Sequence, residues 1–353
     1  MFSFASDDQY FISETIGNYK LDALIASGSN VSVYTAKPKN SNTDPQVAVK
    51  LERAIPSHLA LNKEIIILKK VQSSNHYTKI FELGKYKDFK YLVTDLLGPS
   101  LSDLAFRQPT YKFTLHTLLK FAYQAIEALQ LLHQNGFIHC AVKSENFLIG
   151  FRKQNAGNIY LIHFNESRQF KFSDTTRGKE NSKQQNNNNE YFKDKTPEDD
   201  LIGVVNIITQ YYEDVDQVNK MKINRRLSEL GPSSSQTQSK SSPSIFNELT
   251  ENILNFIPQA VPNYNVLLLI IIKIANVNLI DLNLPFEWEI EIEQKSKILM
   301  QNYSRELQIR KQKALQELMN STDSSSSGGV ENYKFSTSTM KAMIKSLPNL
   351  QKL

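Results

Sequence analysis

Apolar residues change their spacing near residue 95, and this change restricts what the chain can fold into. Between Tyr19 and Thr94 the short runs 31–36, 46–51, 79–83 and 91–94 alternate as half-buried strands do, around one helical stretch at 59–71. From Leu115 to Asn135 the apolar positions are Leu118, Leu119, Ala122, Ala125, Ile126, Leu129 and Leu132, the spacing of one helix face. The chain therefore reads as α+β, with a small β-rich lobe followed by a larger, mainly helical lobe built on the helix at 115–135.

A length of 353 residues suffices for one two-lobed domain or two ordinary ones. With 40% hydrophobic and 22% charged residues, 12 Gly and 12 Pro, the composition excludes collagen-like, mucin-like and wholly disordered classes. The single cysteine, Cys140, can close no internal disulfide and build no metal site alone, so a reducing compartment is expected. The opening MFSFASDDQYF places acids where a secretion signal carries a basic segment. An intracellular, non-secreted protein follows, in cytoplasm, nucleus or a cytoskeletal assembly. The strongest apolar run, Val266 to Ile272, is closed by Lys273 and falls short of the roughly 20 residues of a bilayer span. It reads as a buried helix or strand, and no membrane span is expected. The net charge of +5 is spread rather than gathered on one helix, so no nucleic-acid partner is indicated.

Two low-complexity stretches, Asn- and Gln-rich at 181–189 and Ser-rich at 231–244, are predicted to be mobile. Residues 294–320 favour a charged helix carrying Ile298, Leu299, Tyr303, Leu307, Ile309, Leu315, Leu318 and Met319. Residues 321–329 read as a linker before a short final helix near 337–345.

Several phrases stand in an order that carries chemistry. Ile25-Ala-Ser-Gly-Ser-Asn-Val-Ser-Val-Tyr34 precedes the strand Val47-Ala-Val-Lys50, and Glu64 lies on the next helix. Leu92-Val-Thr-Asp-Leu-Leu-Gly-Pro-Ser-Leu101 and Phe137-Ile-His-Cys-Ala-Val-Lys-Ser-Glu-Asn-Phe-Leu-Ile-Gly150 follow, then His163-Phe164-Asn165, Asp199-Asp200-Leu201 and Leu284-Pro-Phe-Glu-Trp-Glu289. Singly these are weak: Val-Ala-Val-Lys occurs in many strands, and Gly28 among serines could be an ordinary turn. Together they resemble the casein kinase 1 group of serine/threonine protein kinases, over about Tyr19 to Glu289. The resemblance implies a bilobal protein-kinase-like fold at 19–290, with an N-lobe at about 19–95 and a C-lobe at about 96–290. Around it lie an N-terminal extension (1–18), inserts near 174–197 and 231–244, a helical extension (291–320) and a linker with terminal helix (321–353).

The resemblance also assigns roles, and shows which of them are lost. The place of the catalytic aspartate holds Ala141, whose methyl group accepts no proton, and Cys140 replaces the usual arginine. Lys143 and Asn146 match the loop lysine and the metal-holding asparagine. His163 stands where an aspartate would bind Mg²⁺, a cation that prefers hard oxygen ligands. Asn165 replaces a glycine and, because Asn tolerates positive φ, is expected to keep the local turn. Of three loop glycines only Gly28 remains, with Ala26 and the stiff, β-branched Val31 at the other places. Lys50 and Glu64 are retained for an ion pair, Thr94 leaves space at the back of the pocket, and Asp95 and Leu97 follow it in the hinge.

A positioned general base contributes about 10²–10⁴ in rate, and a metal supplies several kcal/mol of transition-state stabilisation. The expected protein is thus a degenerate, pseudokinase-like member whose adenine slot binds ATP weakly or not at all and whose acids do not suit Mg²⁺. It would serve as a protein-binding scaffold or structural component, with partners at the C-terminal helices or a basic surface. Glu145 and Glu166, the nearest acids, support the alternative of an active atypical kinase. His139 with His163 could suggest a metal pair and Cys140 a redox sensor, but a loop histidine, a replaced ligand and a buried structural thiol are the simpler readings. Lys50 with Glu64 could equally be a purely structural pair.

Overall fold

The computed structural model describes residues 11–28, 30–41, 47–170, 195–212, 244–256 and 262–323. The chain forms two compact units, Met1–Glu293 and Gln294–Leu353.

In the first unit, β1 (Thr15–Ile16), β2 (Tyr19–Ser27), β3 (Val31–Pro38), β4 (Val47–Arg53), β5 (Ile80–Tyr86) and β6 (Phe89–Asp95) form one antiparallel sheet. Its order is β1-β2-β3-β4-β6-β5. The period of two in β4 divides its chemistry between the faces. Val47, Val49 and Leu51 join Tyr34, Tyr91 and Val93 in one apolar cluster, while Lys50 and Glu52 face helix α1 (Ala60–Val71). Strand β2 escapes the sequence pattern for a physical reason. It is mostly exposed, buries only Leu21, and is interrupted by two register shifts.

The larger lobe is built on α3 (Leu115–Gln134), which follows the short α2 (Leu101–Arg107). The Thr114 hydroxyl accepts from the Thr117 N–H at 3.3 Å to start α3. Its expected stripe Leu118, Leu119, Ala122, Ala125, Ile126, Leu129 and Leu132 is buried in the main core. Gly136, at φ +77°, turns the chain out of α3 in a conformation that suits glycine. Small sheets follow: β7 (Leu97–Ser100), β9 (Phe147–Gly150) and β10 (Ile159–Leu161) pair in the order β10-β9-β7, and β8 (Phe137–Ile138) pairs with β11 (Arg168–Gln169).

Helices α4 (Pro197–Tyr211), α5 (Asn247–Leu254) and α6 (Tyr264–Val277) close the core. The insert expected to reach residue 197 ends sooner. Thr196 and Asp199 make a capping box and Pro197 takes the first helical turn, where its missing N–H costs nothing. Stretches 181–189 and 231–243 lie outside the described residues. The apolar run at 266–272 is a helix, with Leu267, Ile270, Ile271 and Ile274 buried and Leu269 exposed.

Helix α7 (Glu287–Asp323) crosses the expected boundary at 290 without a break, and its first turn belongs to the core. Trp288 is buried, donates from Nε1 to the Ala156 carbonyl at 2.9 Å, and stacks on Phe286 at 4.2 Å. The linker expected at 321 begins inside this helix, and the helix expected at 337–345 lies outside the described residues. Among the described residues, no helix is long and apolar enough to cross a membrane.

Trp288→Ala is expected to cost about 3–5 kcal/mol, as large core aromatics do. Urea unfolding of the full chain should show the midpoint falling at an unchanged slope.

Candidate functional site

Between the sheet and the α3 lobe lies a cleft of about 1900 Å³. Gly28, Lys50, Glu64, Thr94, Asp95, Leu97 and His163 all line it, whereas Ala141, Lys143 and Asn146 do not. The cleft is built from several elements. β4 presents Lys50 toward α1, whose Glu64 carboxylate pairs with the Lys50 ammonium; both side chains are largely buried. Desolvation strengthens such a pair relative to a surface one. Gly28 donates its N–H to the Val31 carbonyl at 2.9 Å. A Cβ there would meet only that oxygen, at 3.5 Å, so the turn does not require glycine. Val31 already belongs to β3, opposite Glu52, in keeping with its branching. Thr94 is buried at the end of β6. The Asp95 carboxylate accepts from the Lys79 N–H at 2.6 Å, so it is engaged locally.

The loop after β8 hangs on one buried carboxylate. Asp200 accepts the His139 N–H at 2.6 Å, the Cys140 N–H at 2.9 Å and the His133 Nε2 at 3.0 Å. His133 Nδ1 in turn lies 2.5 Å from the Tyr264 hydroxyl, whose burial raises its pKa. The capping box explains why Asp200 points inward: Asp199 serves the helix end, leaving its neighbour for the interior. Held this way, Cys140 adopts φ +66° and His139 is fully buried. His139 Nδ1 takes the Ala141 N–H at 3.3 Å, so Nε2 is the nitrogen that donates to the Ile162 carbonyl, at 2.9 Å. Burial pushes the His139 pKa down, consistent with this neutral tautomer. Burial pushes the Cys140 thiol up, which does not suit a reactive redox sensor.

Ala141 offers its carbonyl to Asn146 Nδ2 at 2.8 Å, and Lys143 is exposed. His163 sits in the left-handed region at φ +73°, ψ +67°, an uncommon place for a non-glycine residue. Asn165 does not carry the positive φ expected of it. It lies in a one-turn helix, Phe164–Glu166, so the turn is made two residues earlier, at His163. Phe164 is buried against His139 and Tyr77, and Lys63 on α1 donates to the Asn165 carbonyl at 2.5 Å.

These residues do not fit Mg²⁺. His163 offers nitrogen, and no three His, Cys, Asp or Glu side chains gather as ligands among the described residues; Asn146, whose amide N–H goes to the Ala141 carbonyl, supplies one oxygen. Of the two spare acids, Glu145 lines the cleft and Glu166 does not. In the sequence Asp200 stands only within the phrase Asp199-Asp200-Leu201, which does not show its role. The adjacent Asp199-Asp200 before an apolar helix was the signal available; nothing local pointed to Lys63 or Tyr264.

Residues 19–191 match the protein kinase domain family. Together with the β-rich and helical lobes around this cleft, the match makes the fold that of a bilobal protein kinase domain. A probable serine/threonine-protein kinase of Dictyostelium discoideum is 26% identical over 293 residues, covering 78% of this chain. The chain spans 57% of the length of that relative.

Two histidines give the fold a pH dependence. His139 and His116 both have lowered pKa values, chiefly through burial, so the folded state disfavours their charged forms. Stability is therefore full above the unfolded value of about 6.5 and declines as pH falls below it, by at most about 1.4 kcal/mol per unit for the buried His139 and by less for the partly exposed His116, which solvent screens. Urea unfolding at pH 7.5 and 5.5 checks this, and His139→Asn should flatten the difference.

Proposed function

We propose that the chain is a casein kinase 1-like pseudokinase, a protein-binding scaffold whose cleft accepts nucleotide without transferring phosphate. The observation that carries this reading is the split within one cleft. The Lys50–Glu64 pair is assembled and the His163 imidazole lines the same cleft where a metal-binding acid is expected, while Ala141, outside the lining, offers only a methyl group where the base is expected. The assignment to the casein kinase 1 group rests on the phrases at 92–101 and 137–150; the Dictyostelium relative supports a serine/threonine kinase ancestry.

ATP, when bound, would bring three phosphates whose charge seeks cations. Lys50, oriented by Glu64, supplies one, and the small Thr94 leaves room for a base. Ala141 can take no proton from a substrate hydroxyl, and His163 offers no carboxylate to a metal. A second reading, an active atypical kinase, is favoured by one fact: Glu145 faces the cleft, its carboxylate accepting from the Ser144 hydroxyl at 3.2 Å.

Thermal shift with ATP, with and without Mg²⁺, tests the proposal. A ligand at about a hundred times its Kd adds about 2.7 kcal/mol. Stabilisation that needs no Mg²⁺ and vanishes in Lys50→Met is expected. Stabilisation only with Mg²⁺ would favour the second reading, and no shift would reduce the cleft to a structural remnant.

A further inference from the structure

A second cavity, of about 780 Å³, lies in the helical lobe and shares no lining residue with the cleft. Its volume falls within the roughly 300–1,000 Å³ usual for small-molecule sites. Lys120, Tyr123, Gln124 and Glu127 line it from α3, at the three- and four-residue spacing of one helix face. Helix α6 adds Ile272 and Ala275, and residues 279–283 complete the wall. Two of the polar groups are spent on the fold. The Gln124 amide donates to the Gly157 carbonyl and accepts from the Ile159 N–H, both at 2.9 Å. The Lys120 ammonium donates to the Leu284 carbonyl and lies 4.8 Å over the Phe286 ring; burial lowers its pKa, while Glu289 and Asp281 favour its charge.

Glu127 is placed differently. Its Oε2 lies 3.4 Å from His76 Nε2, while His76 Nδ1 lies 3.0 Å from the Ile159 carbonyl, which can only accept. Nδ1 therefore carries the proton, and the neutral imidazole turns a bare lone pair at Nε2 toward the carboxylate. Two acceptors face each other, and a donor that reaches both would satisfy them. Glu127 stands about 10 Å along α3 from Lys120, farther than the Debye length of about 8 Å, so that ammonium does not neutralise it.

The loop after α6 supplies an apolar group that its own turn does not call for. Ile280 donates its N–H to the Ala275 carbonyl at 2.9 Å and Leu279 donates to the Asn276 carbonyl at 3.2 Å, the pattern of a Schellman turn. Leu279 takes the left-handed place in it, at φ +56°, where glycine is favoured and a Cβ is not. Its side chain is 95% exposed and so buries almost nothing of its own chain. We infer that this cavity binds an organic amine, its ammonium donating to Glu127 and to His76 Nε2 and its apolar body lying on Ile272, Ala275 and Leu279. The ionic partner comes from α3 and the apolar ones from α6 and its turn, a combination that suits a hydrocarbon-bearing cation better than a bare metal ion or a neutral hydrocarbon. The inference does not depend on the reading of the cleft.

The probe is phenethylamine, titrated by calorimetry into the full chain at neutral pH without nucleotide, beside phenethyl alcohol and phenylacetate of the same shape. A ligand of this size is expected to bind with a Kd on the order of a millimolar or tighter. The amine should bind about tenfold tighter than the alcohol, the carboxylate should not bind, and Glu127→Gln should weaken the amine by about tenfold or more. Leu279→Gly should weaken it as well while raising the melting temperature of the free chain, because glycine suits the turn. A leucine with a merely structural role would not give both effects, and this variant decides the matter should Glu127→Gln fail to fold. Absence of amine binding, equal binding of amine and alcohol, or unchanged binding in Glu127→Gln would overturn the inference. So would a Leu279→Gly chain that binds as wild type does, or displacement of the amine by ATP, which would put it in the cleft.

Discussion

The Asp200 carboxylate carries the loop on which the cleft's lower wall depends. It takes two consecutive backbone N–H groups and a buried histidine, in a place with almost no solvent. A buried carboxylate left without such partners costs several kcal/mol, so the three contacts act as a unit. They hold Cys140 at positive φ and keep His139 where it can donate to Ile162, immediately before the left-handed His163. The backbone path is thereby fixed independently of the side chains at 141 and 163.

This independence explains how chemistry can be lost while shape persists. The path requires carboxylate 200, an imidazole at 139 and the amide of Asn146 on the Ala141 carbonyl; it requires nothing of the Ala141 side chain. On the opposite wall the Lys50–Glu64 pair ties β4 to α1, and Lys63 ties α1 to Asn165. The two walls are thus joined through α1 rather than through an acid at position 163. A cleft organised this way holds the Lys50 ammonium and a lobe-to-lobe link, the two features on which the proposed nucleotide-binding module rests.

Much of this was legible in the sequence where local periodicity and burial agree. The α3 stripe and the strands around Lys50 read correctly because each presents one buried face. Strand β2 did not, since its contacts are mostly backbone and its side chains face water. The family resemblance singled out Lys50, Glu64, Thr94 and His163, which line one cleft, but the residue-type argument set the positive φ on Asn165, because conformational tolerance says where strain is cheap, not where the fold needs it. The Asp200 network joins residues 133, 139, 200 and 264, too far apart in sequence for any local pattern to announce it. Likewise the domain end was marked by Trp288, but the continuity of α7 through that end depends on packing against Ala156 and Phe286.

The central claim, a kinase fold that holds its shape without transferring phosphate, is tested most directly by steady-state ATP turnover with Mg²⁺ in the full chain. The comparison is with Lys50→Met and with the double variant Ala141→Asp/His163→Asp. The account predicts a wild-type rate no greater than that of Lys50→Met, and a higher rate in the double variant, where both carboxylates return to a prepared backbone. Wild-type turnover that Lys50→Met and Glu145→Ala each abolish would contradict it.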